Sequence, residues 1–229
     1  MVDQIIAEGG SAEYLPIDLT SLTSARTAAR MLEDSGRSLD VLINNAGVGV
    51  TRGITEDGFQ LQFGVNHLGH FMLTEHLRRT FRPGTRIVSV SSHMHYRAAT
   101  LDFEAVTRKT TPMGGIEAYS QSKLANVLFT RELARRQPDW RTFAVHPGVV
   151  DTGIFPSWTR PVVRSRSLTP EEGAVTVVWC ATDPGLEASS GGYFASQRER
   201  QPSDVALDDD LAHELWSRSE RWCGLGPVD

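Results

Sequence analysis

The sequence predicts an α/β domain built on a doubly wound parallel sheet. Three observations predict it. Short apolar or β-branched runs recur at 39–43 (LDVLI), 86–91 (RIVSVS) and 141–146 (RTFAVH). Segments of helical periodicity lie between them. Each run leads straight into a turn: Asn44-Asn45-Ala46-Gly47, Ser91-Ser92 and Pro147-Gly148. Apolar strands that alternate with helices bury both faces of their sheet, which is the parallel arrangement. A length of 229 residues suits one domain over 1–229, and 40% hydrophobic with 22% charged residues is ordinary globular composition.

Taken in order, Val2 to Glu8 reads as a helix end closed by Gly9-Gly10. Residues 13–19 (EYLPIDL) read as a strand weakened by Pro16. Thr20 or Ser21 caps a helix to about Asp34. The strand 39–43 follows, then a helix from Gly58 to Arg79 and the strand 86–91. A polar loop from His93 to Gly115 precedes an amphipathic helix from Glu117 to Gln137, with apolar positions at Leu124, Val127, Leu128 and Leu133. The strand 141–146 leads to a long loop, 153–168, that carries Phe155 and Trp158. Thr169-Pro170-Glu171-Glu172 opens the next helix, with threonine as cap, proline in the first turn and acids near the positive end of the dipole. Residues 191–195 form a last strand, and Asp208 to Trp222 a helix within the C-terminal segment 204–229.

Composition narrows the function. A net charge of −5 and no basic run argue against nucleic acid. No apolar stretch reaches the ~18 residues of a membrane span, and no leader pattern opens the chain. Cys180 and Cys223 lie far apart, as structural thiols in a reduced, cytoplasmic setting. No internal repeat stands out.

The chemistry centres on Tyr119-Ser-Gln-Ser-Lys123. Residues four apart share a helix face, so the phenol and the ammonium point the same way. A nearby cation favours phenolate, so Tyr119 is expected to have a lowered pKa and to serve as a general acid or base. Lys123 and Lys109 are the only lysines in an arginine-rich chain. A compact ammonium tunes a neighbour in a way that a guanidinium does not. On a solvated helix face the same pair would carry no chemistry; the motifs around it decide.

Those motifs are NNAG at 44–47, NHLGHF at 66–71, RIVSVSS at 86–92, YSQSK at 119–123 and HPGVVDT at 146–152. In this order and spacing the chain resembles the short-chain dehydrogenase/reductase family, in its retinol-dehydrogenase-like and WW-domain-oxidoreductase-like subgroup. The resemblance covers nearly the whole chain and implies a Rossmann-like fold. It implies an oxidoreductase that interconverts a carbonyl and an alcohol with NAD or NADP, on a small and largely apolar substrate. Tyr119 would be the general acid/base and Ser92 would hold the substrate oxygen. Lys123 would tune Tyr119 and hold the nicotinamide ribose, and Asn66 would continue a proton relay. Asn44, Ala46, Gly47, Pro147, Gly148 and Thr152 would line the cofactor, with Asp18 near its adenine. His93, Phe155 and Trp158 would face the substrate, with 153–168 as a lid. Helices 58–79 and 117–137 would pair in a homodimer or homotetramer.

One departure stands against the resemblance. The family opens with a strand, a glycine-rich turn and a helix that hold the pyrophosphate. The first strand, that phosphate loop and the second strand are expected to be absent here, so the fold reads as N-terminally truncated. Gly47-Val-Gly49 lacks the G-x-G-x-x-G spacing. The strand 13–19 is then expected to move beside 39–43, giving about five strands, or a second chain covers that edge. Two alternatives to redox chemistry stay open: a cofactor-independent cyclase, dehydratase or isomerase on the same Ser, Tyr and Lys, and a non-catalytic partner protein. His93-x-His95 supplies two ligands without a third, so no metal is expected.

Overall fold

The structure is a computed structural model that describes residues 2–111, 114–150 and 167–226. The described elements in chain order are α1 (Val2–Ala7), α2 (Leu22–Asp34), β1 (Leu39–Asn44), α3 (Leu61–Phe63), a π turn (Gly64–Leu68), α4 (Gly69–His76), β2 (Phe81–Val90), α5 (Gly115–Arg136), β3 (Arg141–His146), α6 (Pro170–Thr182), β4 (Gly192–Ala195), β5 (Arg198–Arg200) and α7 (Asp209–Trp222). The sheet runs β1-β2-β3-β4-β5. Its first four strands are parallel, and β5 folds back antiparallel on β4. That hairpin strand, Arg-Glu-Arg, is short and exposed, and no apolar alternation announces it.

Side chains alternate across the sheet as the two-residue strand period requires. Ile87, Ala144 and Tyr193 point to the face covered by α4 and α5. Val88, Val90, Phe143, Val145 and Phe194 point to the opposite face, where Val177, Cys180 and Ala181 of α6 meet them. Both faces are thus apolar, which is why β2 and β3 read as near-continuous hydrophobic runs. The cover thins beside β1, where Ile43 stays 41% exposed.

Residues 13–19 do not form a strand. They run as an irregular segment, and among the described residues β1 has β2 as its one ladder partner. The expected shift of 13–19 beside 39–43 is therefore wrong. Pro16 lacks the donor a ladder needs, and Tyr14 is 76% exposed, so no buried face fixes a register.

The helix expected over 58–79 is divided. Gln60 pairs with Ile54 as an isolated bridge, and helix starts at Leu61. Its axis is interrupted by the π turn, which holds Asn66. This helix and α5 pack against α7. Trp216 of α7 stacks on Phe129 and meets Phe71 edge-on, and His67 in the π turn lies 2.9 Å from the Ser219 hydroxyl.

The capping signal read at 169–172 is present in full. The Thr169 hydroxyl accepts from Glu172 N–H, and the Glu172 carboxylate accepts from Thr169 N–H. Among the described residues no helix is long and apolar enough to cross a membrane. Cys180 and Cys223 are buried free thiols whose pKa burial pushes up to about 12.

Candidate active site

The carboxyl ends of β1, β2 and β3 deliver Asn44, Ser91-Ser92 and His146-Pro147-Gly148 to one edge of the sheet. Open α/β sheets bind ligands at this edge. Helix α5 is fastened there by three hydrogen bonds. The Val90 carbonyl accepts from Lys123 Nζ at 2.9 Å and from Asn126 Nδ2 at 3.0 Å, and Ser91 Oγ donates to the Lys123 carbonyl at 2.7 Å. The strand end and the helix are thereby locked in one register, which brings Tyr119 against Ser92.

The Ser92 side chain acts on the Tyr119 phenol in the sense that lowers its pKa. The tuning of Tyr119 differs from the sequence expectation. Burial pushes its phenol pKa up, and Ser92 offsets this only in part. Lys123 does share the helix face, but its Nζ lies 5.7 Å from the Tyr119 ring centroid and turns to the Val90 carbonyl instead. In this state the phenol keeps its proton. Burial acts on Lys123 in the opposite sense: it is 4% exposed, and its pKa falls to about 8.

Asn66 is fully buried and ties three segments together. Its Oδ1 accepts from Val48 N–H at 2.8 Å, while its Nδ2 donates to the Val48 carbonyl at 3.0 Å and to Ser122 Oγ at 2.9 Å. Ser122 Oγ in turn donates to the Tyr119 carbonyl at 2.8 Å. The loop after β1 is thus pinned to the turn of α5 that carries Tyr119. The π turn makes this reach available, as such bulges often do at functional sites. The Asn66 carbonyl is met by His70 Nδ1 at 3.1 Å. Burial holds the His70 pKa down at about 4, so the ring is neutral and donates.

Gly47 lies against this group. A Cβ there would stand 2.9 Å from Asn66 Oδ1 and 3.7 Å from Lys123 Nζ, so only glycine lets the loop close. Asn44 is buried and donates to Thr74 Oγ1 at 3.1 Å, leaving its Oδ1 without a protein partner. Ala46 is exposed beside it. Pro147 and Gly148 are half-buried, with Gly148 at φ +93 and packed on Leu168. Asp18 is engaged in its own turn: its carboxylate accepts from the Thr20 N–H and hydroxyl, which holds its pKa below the usual value. Thr152, Phe155 and Trp158, and the lid expected over 153–168 except its last two residues, lie outside the described residues.

A cluster of imidazoles borders Ser92. The His93 and His146 rings lie 4.0 Å apart. Burial and the neighbouring histidines hold the His146 pKa down at about 4. Both ring nitrogens of His95 are taken by backbone groups. Sequence reading missed Ser122 and Asn126. Their signal was available in α5, where polar residues three and seven positions from Tyr119 stand on a helix that is otherwise apolar on this side.

Comparison with known proteins gives the family. A family model described as enoyl-(acyl carrier protein) reductase matches residues 1–183. Dehydrogenase/reductase SDR family member 13 of Bos taurus is 40% identical over 96% of this chain and 62% of its own length. Retinol dehydrogenase 14 of Mus musculus is 41% identical over 91% of this chain and 66% of its own. The chain therefore spans about two thirds of these relatives. Among solved structures, an uncharacterized protein from Mycobacterium paratuberculosis superposes with a TM-score of 0.76 at 32% identity, over 96% of this chain and 78% of that one. A short-chain dehydrogenase from Burkholderia cenocepacia in complex with NADP gives 0.68 at 25% identity, over 84% of this chain and 78% of that one. With its motifs in order and its side chains so arranged, the chain belongs to the short-chain dehydrogenase/reductase family, among its retinol-dehydrogenase-like members.

Proposed function

We propose that this chain interconverts a carbonyl and an alcohol with a nicotinamide cofactor, using Tyr119 as general acid/base. The observation that carries the reading is the placement of Ser92, Tyr119 and a buried Lys123, fastened to the Val90 carbonyl, at the carboxyl edge of the sheet. Burial keeps the phenol protonated, so it can give its proton to an alkoxide that develops on the substrate. Ser92 supplies a second donor to the same oxygen. Such aimed donors contribute most where water is excluded, and this corner is buried.

The residues present fit a nicotinamide ribose. Lys123 carries three donors and spends one on Val90. The glycine at 47 lets the backbone of this turn come close to Asn66 and Lys123. Lys123, Asn44 and the 46–47 turn would hold the ribose side, and Pro147 and Gly148 would line the ring. The cofactor, when bound, supplies or accepts the hydride. The Val90 carbonyl holds the Lys123 ammonium at this edge. The substrate class is a small apolar alcohol or its carbonyl, which the name of the retinol dehydrogenase relative also suggests.

The test is interconversion of retinol and retinal by the purified chain, with retinal reduction by NADH or NADPH as the direction that a protonated Tyr119 serves, read at the cofactor's absorbance. Tyr119→Phe should lower turnover by about a thousandfold while leaving the fold intact. Turnover near wild type in that variant would overturn the assignment.

A further inference from the structure

The turn that follows Ser92 is held by two side chains that the reaction does not use. His95 is fully buried. Its Nδ1 lies 2.7 Å from the Ser92 carbonyl and its Nε2 lies 3.2 Å from Ser203 N. A carbonyl only accepts and a backbone N–H only donates. The ring is therefore neutral, with its proton on Nδ1, and the two backbone groups fix that tautomer without ambiguity. Next to it, Tyr96 Oη donates to the Gln201 carbonyl at 2.5 Å. Residues 201–203 are thus strapped to the loop that presents Ser92.

We propose that His95 is a positioning residue: by clamping the Ser92 carbonyl it holds the Ser92 hydroxyl against Tyr119, and Ser203 holds the imidazole in the tautomer that can do so. Its role in turnover rests on the reading of Tyr119 as general acid/base, but the clamp itself does not. Ser92 is extended, at φ −161 and ψ 157, and its hydroxyl already accepts from Met94 N–H at 3.2 Å. Its carbonyl and its hydroxyl are each held, so the side chain has one place to go. His95 touches neither substrate nor phenol; it acts through Ser92.

The surroundings favour the neutral ring. His95 faces His93 and Tyr96 from its own turn and Tyr193 from β4, 4.0 Å and 4.7 Å away for the two tyrosine rings. His146 from β3 responds to its charge, and Arg200 from β5 acts on His93 and Tyr96. Each of these groups is neutral or cationic. Burial lowers the His95 pKa, and His93 lowers it further. A second proton would sit on Nε2, facing the Ser203 N–H, and would open the strap.

Two substitutions separate the halves of the clamp. In His95→Asn the amide nitrogen takes the place of Nδ1 and can still donate to Ser92. In His95→Gln the amide reaches the place of Nε2 and keeps Ser203 but not Ser92. The expected result is a kcat within about threefold of wild type for Asn. For Gln, kcat should fall on the order of a hundredfold with KM unchanged, the size of effect that small misplacements of reacting groups produce. Equal losses in both variants, or full activity in Gln, would overturn the proposal.

A readout independent of turnover is the NMR signal of the Tyr119 ring carbon that bears the hydroxyl. It should move in His95→Gln and stay in His95→Asn, while the imidazole nitrogens of wild type report the Nδ1–H tautomer. An unmoved Tyr119 signal in Gln, or an Nε2–H tautomer in wild type, would overturn the clamp even if the chain turns over no retinol. Signals as predicted without retinol turnover would instead count against the redox reading alone.

Discussion

At the scale of single residues, burial outweighs the neighbouring cation. The i,i+4 spacing of Tyr119 and Lys123 suggested a lowered phenol pKa. The structure turns the ammonium to Val90 and raises the phenol instead. Helix spacing fixes where two Cβ atoms stand, not which carbonyl a flexible lysine will find 33 residues away. A pH prediction follows with its sign. Lys123 is lowered to about 8, so its charge is lost as pH rises through that value. Affinity for NADPH should be level up to about pH 7 and fall above pH 8. Titration at several pH values checks this, and affinity level to pH 10 would show that the ammonium takes no part.

Gly47 belongs to the same scale. Gly47→Ala places a methyl 2.9 Å from Asn66 Oδ1, the atom that holds Val48. Overpacking of this kind costs about 1–3 kcal/mol. Urea unfolding should show a loss in that range, and an unchanged midpoint would mean that the loop yields freely.

At the scale of elements, the π turn organises the site. Asn66 reaches Val48 on both backbone groups only because the helix opens there. Asn66→Asp keeps the shape but sets an oxygen against the Val48 carbonyl. Such an unpaired buried contact costs roughly 1–3 kcal/mol, and the variant should unfold at correspondingly lower urea. Equal stability would argue that the loop is held by something else.

Local signals were legible and distant ones were not. The Thr169–Glu172 capping box and the Gly9 helix end could be read directly, because the partners lie within four residues. The Asn66 hub could be named as a candidate from its motif. Its partners Val48 and Ser122 stand 18 and 56 residues away, and no pattern in one sequence pairs them. Residues 13–19 failed as a strand because apolar content without alternation or a partner sets no register. β5 escaped notice because three exposed polar residues make a strand only when β4 lies beside them.

At the scale of the molecule, buried neutral histidines set the response to acid. Burial lowers His67 to about 3 and His70 and His146 to about 4. All three would titrate near 6.5 in the unfolded chain. Their folded values are depressed, so stability is full above about pH 6.5 and is lost as pH falls towards 4. Each costs on the order of 2 kcal/mol by pH 5. Thermal unfolding should therefore drop steeply between pH 6.5 and 5, and His70→Gln should flatten part of that slope. A melting temperature constant across this range would contradict the neutral, buried assignment. His67 ties the π turn to α7, so acid should loosen the site and the C-terminal helix together.

The most direct test of the central claim is a calorimetric titration of this chain with NADPH and NADH, run beside Lys123→Ala. Binding in the micromolar range is expected for one of the two, weakened at least about tenfold in the variant, as loss of a charge-assisted contact requires. A folded sample that binds neither cofactor up to millimolar concentration would contradict it. The Ser92, Tyr119 and Lys123 set would then have to serve acid/base chemistry without a hydride.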